Sequence, residues 1–88
     1  MTKELFYEKA QEIEMYWEEK MPMLAMEEAG ELIQAISKIE RKENEITRQG
    51  LIDELGDIII SVAALSHHYG IEPSEIDNRI TTKMNKKY

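Results

Sequence analysis

Apolar positions recur at helical spacing in four stretches of this chain, separated by short polar or turn-forming segments. In the first, Phe6, Ala10, Ile13 and Trp17 follow at steps of four, three and four, behind Thr2, whose hydroxyl suits a helix N-cap. Pro22 stands near the start of the second stretch, which predicts a helix running to about Lys42. The polar run KENEIT, residues 42–47, predicts the connection, with Thr47 as the cap of a third helix. Gly70 ends that helix, because glycine adopts the left-handed conformation common at helix C-termini. Pro73 then fits the first turn of a fourth helix, where its missing N–H costs nothing.

No stretch alternates with period two for long enough to predict a strand. DIIISVAAL, residues 57–65, has the consecutive isoleucines of one, yet apolar character runs through all of LIDELGDIIISVAALSHHYG, well beyond strand length. The predicted class is all-α: four helices in a single domain over residues 1–88, forming a helical bundle. Between Ile58 and Leu65 apolar residues occupy nearly the whole circumference of the third helix, and such a helix is surrounded. A chain this short supplies few companions, so the bundle is predicted to be completed by homo-oligomerisation, as a dimer or tetramer.

Composition narrows the function. The chain has no cysteine, which removes disulfide staples and thiolate metal sites. Its formal charge of -7 argues against a partner that is a nucleic-acid polymer, since such binders carry a basic excess. No apolar run is long enough to cross a membrane and the N-terminus has no signal-peptide pattern, so a cytoplasmic protein without a membrane partner is expected.

The acids are unevenly placed. In LAMEEAGELIQAI, Leu24, Glu28, Glu31 and Ala35 share one helical stripe, flanked by Ala25, Leu32, Ile36 and Ile39. Glu28 and Glu31 thus border the face that a helix buries, where unpaired charge is costly. The third helix repeats the pattern: Glu28-Ala29-Gly30-Glu31-Leu32 is matched by Glu54-Leu55-Gly56-Asp57-Ile58. Acids three apart on a helix reach toward one point. A single such pair is ordinary on a solvated helix face; two matched pairs beside apolar stripes are not. Four gathered carboxylates repel and take up protons unless a cation compensates them. All-oxygen ligation suits Mg²⁺, or Mn²⁺ as a substitute, and suits zinc poorly. The Glu-x-x-His motif of di-iron bundles is absent, because Ala64 and Leu65 stand three residues before His67 and His68. Those histidines occupy the last turn of the third helix and are read as structural or solvated. Gly30 and Gly56 cost roughly 1 kcal/mol each against alanine in a helix interior, which close approach of a neighbouring helix backbone offsets.

Glu27-Glu28-x-x-Glu31 followed by Glu54-x-x-Asp57 resembles the EExxE…ExxD signature of the MazG-like nucleotide pyrophosphohydrolases, within the all-α NTP pyrophosphohydrolase superfamily. The resemblance extends from about Met23 to Met84 and includes the flanking ELIQAI and DELGDIII. It implies an oligomeric enzyme that hydrolyses nucleoside triphosphates between the α and β phosphates, releasing a monophosphate and pyrophosphate. Such an activity serves housecleaning of the nucleotide pool. By position, the resemblance implies Glu28, Glu31, Glu54 and Asp57 as ligands of Mg²⁺. It also implies catalytic roles for Glu27, Glu28 and Glu31, with Glu27 auxiliary, orienting water or a ligand of the metal.

The fourth helix carries Arg79, Lys83, Lys86 and Lys87 in a basic stripe beside Ile76, Ile80 and Met84, with no acid after Asp77. Positive charge facing the acids suits a triphosphate, and Lys83 matches a basic position of the family. Relatives often place an asparagine four residues after that lysine; here Lys87 stands there and Asn85 comes two residues earlier. Trp17 is a candidate to stack on the base, against a core role at the end of its own stripe. Two alternatives differ in kind. Phosphoribosyl-ATP hydrolysis is ranked lower because the Ser-Tyr-Thr segment of that branch is not found upstream of the acids. A non-catalytic oligomerisation or regulatory module that retains the acidic metal site would release no pyrophosphate.

Overall fold

A computed structural model describes residues 1–42 and 48–87, the side chain of Lys87 excepted. It contains α1 (Lys3–Trp17), a single 3-10 turn (Glu18–Lys20), α2 (Met21–Glu40), α3 (Arg48–His68) and α4 (Pro73–Lys87), with no strand among the described residues. The class is all-α, as the periodicity predicts.

Local backbone chemistry sets most of the ends. The Thr2 hydroxyl accepts from Leu5 N–H at 3.1 Å and caps α1. Pro22 lies in the first turn of α2. At the end of α3, Gly70 has φ +69, Ile71 N–H donates to Ser66 O and Gly70 N–H donates to His67 O, which satisfies the last carbonyls of the helix. Pro73 opens α4, and the Glu75 carboxylate reaches back to Glu72 N–H at 2.8 Å. The predicted cap Thr47 lies outside the described residues. α2 ends at Glu40 rather than Lys42, because Lys42 turns to φ 61.

The break between α1 and α2 comes earlier than Pro22 suggests. Glu18 closes α1 with φ 53 and ψ -125, a conformation that costs a residue with a β-carbon and suits glycine. Glu18→Gly is therefore expected to raise stability by about 1 kcal/mol, because relief of strain outweighs the added freedom of the unfolded chain. Chemical denaturation at fixed pH measures it.

The central helix is α3. It packs against α2 on one side and α1 on the other. Leu24 and Glu28 meet Asp57, Ile60 and Ser61 around one cavity, while Glu31 sits by Glu54, so α2 and α3 run antiparallel. Ala10 joins Ala63 and Ala64 in the core, and Glu14 meets His67 and His68, so α1 and α3 run parallel. The core is thin: Ala10, Ala25, Ala63 and Ala64 surround Met21, the largest fully buried side chain. Phe6, Tyr7, Ile13, Leu24 and Leu65 pack around it half-buried or at the rim.

A polar joint reinforces the α1–α3 contact. Both carboxylate oxygens of Glu14 are used, one accepting from His67 Nδ1 at 2.9 Å and the other from His68 Nδ1 at 3.1 Å. The Gln11 amide nitrogen lies 2.6 Å from His67 Nε2, which accepts from it when Nδ1 carries the ring hydrogen. The histidines are structural, in line with the sequence reading.

The expected four-helix bundle is corrected within one chain. Three helices pack, whereas α4 makes no comparable contact and is tied chiefly through the Lys3–Asp77 ion pair and a shared groove. Its apolar stripe is narrow, and Ile80 and Met84 stay 53% and 54% exposed. The radius of gyration of 14.9 Å exceeds the roughly 12 Å of a compact chain of this length. The close approach expected at Gly30 and Gly56 is also corrected: a β-carbon at either meets nothing within 4 Å.

Candidate active site

The acids gather where α2 and α3 pass each other. Glu28 on α2 and Glu54 and Asp57 on α3 each bring one carboxylate oxygen within 4.8 Å of the others. The three-residue step between Glu54 and Asp57 puts both on the α2 side of α3, and the antiparallel pairing carries Glu28 to them. Glu28 and Glu54 are half-buried and Asp57 is exposed. Oε2 of Glu28 and Oε2 of Glu54 are buried with no hydrogen-bond partner. Native proteins rarely leave buried carboxylate oxygens unpaired.

The electrostatics agree with that geometry. Burial, then the charges of Glu31, Asp57, Glu54 and Glu27, push the Glu28 carboxyl above its ordinary value of 4.5. Burial, then Glu31 and Asp57, push Glu54 up as well, and a hydrogen bond between the Glu31 and Glu54 carboxyls adds to this. Glu31 thus stands beside both, although it is exposed and outside the convergent three. Glu27 is exposed and bears on Glu28 least of the four acids. An all-oxygen donor set carrying this much unneutralised charge fits a hard divalent cation.

The basic stripe does not line the cavity beside these acids. Arg79, Lys83 and Lys86 are exposed on α4, and the charges acting most strongly on Glu28 and Glu54 are all carboxylates. Lys87 falls outside the described side chains. Trp17 is 38% exposed at the end of α1, edge-on to Tyr16, outside the core cluster and the cavity beside the acids. Its place at the end of the apolar stripe is therefore not a core position, because the chain turns at Glu18 before the stripe is covered.

Two hollows flank α3. The larger, about 570 Å³, runs between α1, α3 and α4 past Phe6, Ile59, Val62 and Ile76 and touches none of the four acids. The smaller, about 170 Å³, has Glu28 and Asp57 in its wall, with Ser61 beside them. The sequence reading did not single out Ser61; its signal is a lone hydroxyl inside the apolar run IIISVAAL. Glu14 was missed too, because its partners lie more than fifty residues away and no local pattern announces them.

The family model of the MazG nucleotide pyrophosphohydrolase domain matches residues 17–88. The chain belongs to this family. The MazG match takes in α2, α3 and α4 with every acid of the cluster, and begins at the last residue of α1. No curated protein and no solved structure matches the chain. Membership makes the protein a nucleotide pyrophosphohydrolase in the general sense of the family, acting on a nucleotide. No helix among the described residues is long and apolar enough to cross a membrane.

The MazG acids give the metal-free protein a specific pH dependence. Carboxyls held above 4.5 in the fold stabilise it at low pH and lose that contribution as pH rises through their folded values. Glu14 behaves oppositely: its bonds to His67 and then His68 hold it below 4.5, so its contribution is lost only as pH falls below that value. The thermal midpoint without metal is expected to rise as pH is lowered from 8 toward 4.5 and to fall beyond it. A Glu28→Gln/Glu54→Gln variant is expected to flatten the rise. An unchanged slope in that variant would assign the effect to other groups.

Proposed function

We propose that the protein hydrolyses nucleoside triphosphates, NTP or dNTP, between the α and β phosphates, with Mg²⁺ held by Glu28, Glu31, Glu54 and Asp57. The observation that carries this reading is the pair of orphaned, buried oxygens on Glu28 and Glu54 beside Asp57, inside the family's own motif. When bound, the cation neutralises phosphoryl charge and lowers the pKa of a water. The protein's part is to keep four carboxylates at one crossing of two helices, so that the phosphates are drawn to a fixed point. Glu31, exposed beside the cluster, is the acid proposed to take the proton of the attacking water, and Glu27, also exposed, is proposed to orient that water.

Arg79, Lys83, Lys86 and Lys87 are proposed to meet the triphosphate from a second copy of the chain; in support, Arg79, Lys83 and Lys86 are exposed and do not line the cavity beside Glu28 and Asp57. The exposed surface supports assembly. The chain exposes 6996 Å², against about 5,400 Å² for a folded monomer of 10.3 kDa. The excess of about 1,600 Å² is roughly twice what one partner gives to a standard interface. On α3, Ile52, Gly56 and Ile59 form an exposed stripe whose continuation, Ala63 and His67, is covered by α1. A dimer with a large interface, or a tetramer, would cover it. Residues 1–88 form one domain in this reading, because α1 packs on α3 within the same core.

The test is a panel of NTPs and dNTPs with Mg²⁺, scoring pyrophosphate and orthophosphate separately. Pyrophosphate is expected. Orthophosphate alone would place the cleavage at another bond, and release from phosphoribosyl-ATP only would move the protein to that branch. No release from folded, metal-loaded protein would leave a binding or regulatory module.

A further inference from the structure

Little apolar surface holds α1 to the rest of the molecule. Ala10 is its one buried residue, and Phe6, Tyr7 and Ile13 pack only partly against the core. Its grip on α3 therefore leans on the polar joint. Glu14 accepts from His67 Nδ1 at 2.9 Å through one carboxylate oxygen and from His68 Nδ1 at 3.1 Å through the other. The Glu14 side chain is 14% exposed, so water screens these bonds less than it screens a surface ion pair.

Histidine is the side chain whose ordinary charge change falls between about pH 5 and 8, and these two are the only histidines of the chain. With both rings neutral, each Nδ1–H donates to Glu14, and His67 Nε2 accepts from the Gln11 amide nitrogen, 2.6 Å away. A proton arriving at His67 Nε2 turns that nitrogen into a donor. The Gln11 amide then presents its oxygen instead of its nitrogen, and no bond is lost. The Nδ1–H bond to the carboxylate meanwhile joins opposite charges, which makes it roughly twice as strong as the neutral bond. His68 gains in the same way through the second oxygen. The titratable groups around the rings are Glu14 and Tyr7 on α1, Glu72 beyond the end of α3, and Tyr69, whose ring stands nearly perpendicular to that of His68. α4 adds Pro73, Ile76 and Ile80 to the groove beside His67, none of them charged, and the α2 residues of the adjoining core are Met21, Leu24 and Ala25.

We propose that Glu14, His67 and His68 form a proton-operated latch that tightens α1 on α3 as the two rings gain charge. Apart from Trp17, α1 lies outside the matched MazG domain, yet it carries Ile13, the neighbour of Glu14, into the wall beside Glu28 and Asp57. A looser α1 unseats an apolar side chain next to the acids, and a tighter one holds it there. The range of the latch closes on the acid side where Glu14 itself takes up a proton. Its bond to His67, and then that to His68, hold this carboxyl below its ordinary 4.5. The joint therefore strengthens as pH falls from 8 toward 5 and is lost only further down.

The experiment is hydrogen exchange of the full chain at pH 8, 6.5 and 5.5, expressed as protection factors, which remove the intrinsic effect of pH on exchange. Wild type is compared with His67→Asn/His68→Asn, which keeps an amide donor near each Nδ1 position but has no proton to gain. Any effect of the acid cluster is common to both proteins and cancels in the quotient of their protection factors. For α1 that quotient is expected to stand near one at pH 8 and to rise about five- to tenfold by pH 5.5, the advantage of a charge-assisted over a neutral hydrogen bond. For α2 it is expected to stay constant, because opening of one helix is local. Against Glu14→Gln the α1 quotient is expected to exceed one already at pH 8 and to rise in the same way. A quotient independent of pH for α1 would make the joint a plain structural contact and overturn the latch. An equal rise in α2 would make the effect global and overturn it as well. Where one variant does not fold, the other carries the same comparison.

Discussion

Glu28→Gln is expected to lower Mg²⁺-dependent pyrophosphate release at least 100-fold, leave the helical far-UV spectrum unchanged and raise the thermal midpoint of the metal-free protein. The three results have one cause. Glu28 is the only α2 acid among the three whose oxygens converge, its Oε2 is buried without a partner, and burial plus four neighbouring acids hold its carboxyl above the ordinary value. An amide of the same shape keeps the packing and removes the charge that the cation needs. Loss of one electrostatic group aimed at a transition state commonly costs 100- to 1,000-fold. Without metal the same charge is a liability, so its removal relieves repulsion and desolvation together. A general folding defect would lower both activity and midpoint, whereas a site made for a cation gives opposite signs. Stopped assays for pyrophosphate and thermal melts with and without Mg²⁺ separate the two. Full activity in Glu28→Gln would remove the residue from the site.

What could be read from the sequence follows the range over which each feature is encoded. Thr2, Pro22, Gly70 and Pro73 act within one helical turn, and each stands where its local chemistry puts it. The acids were legible because helical geometry converts a three-residue step into a shared direction, and the step recurs on two neighbouring helices. The convergence is narrower than the pattern, since Glu31 stands beside the three rather than among them. Other features depend on where the chain turns. Trp17 continues an apolar stripe on paper, but the left-handed Glu18 redirects the backbone before α2 can cover it. Glu14 and its two histidines are joined only by the parallel docking of α1 on α3. α4 reads as amphipathic, yet its stripe of Ile76, Ile80 and Met84 is too narrow to hold it against the other three helices.

Ile59→Lys is expected to raise the dissociation constant of the assembled protein at least 100-fold, leaving a helical monomer by light scattering at micromolar concentration. Ile59 is 59% exposed and Ile52 43% exposed, with exposed Gly56 between them on the same stripe of α3. In a lone chain a lysine at this position reaches solvent and costs little. Inside an interface it buries an unpaired charge, with a penalty of about 3 kcal/mol or more, which is over 100-fold in affinity. Gly56 supplies an independent check. In a lone chain Gly56→Ala meets open space and adds roughly 0.5–1 kcal/mol of helix stability. If a second copy approaches the helix backbone there, as the glycine's position invites, the added methyl weakens assembly instead. A stabilised Gly56→Ala together with an unaffected Ile59→Lys assembly would clear this stripe of α3 from the interface. The excess exposed surface would then have to be covered elsewhere, on the α2 face that carries Met23, Met26 and Ile33.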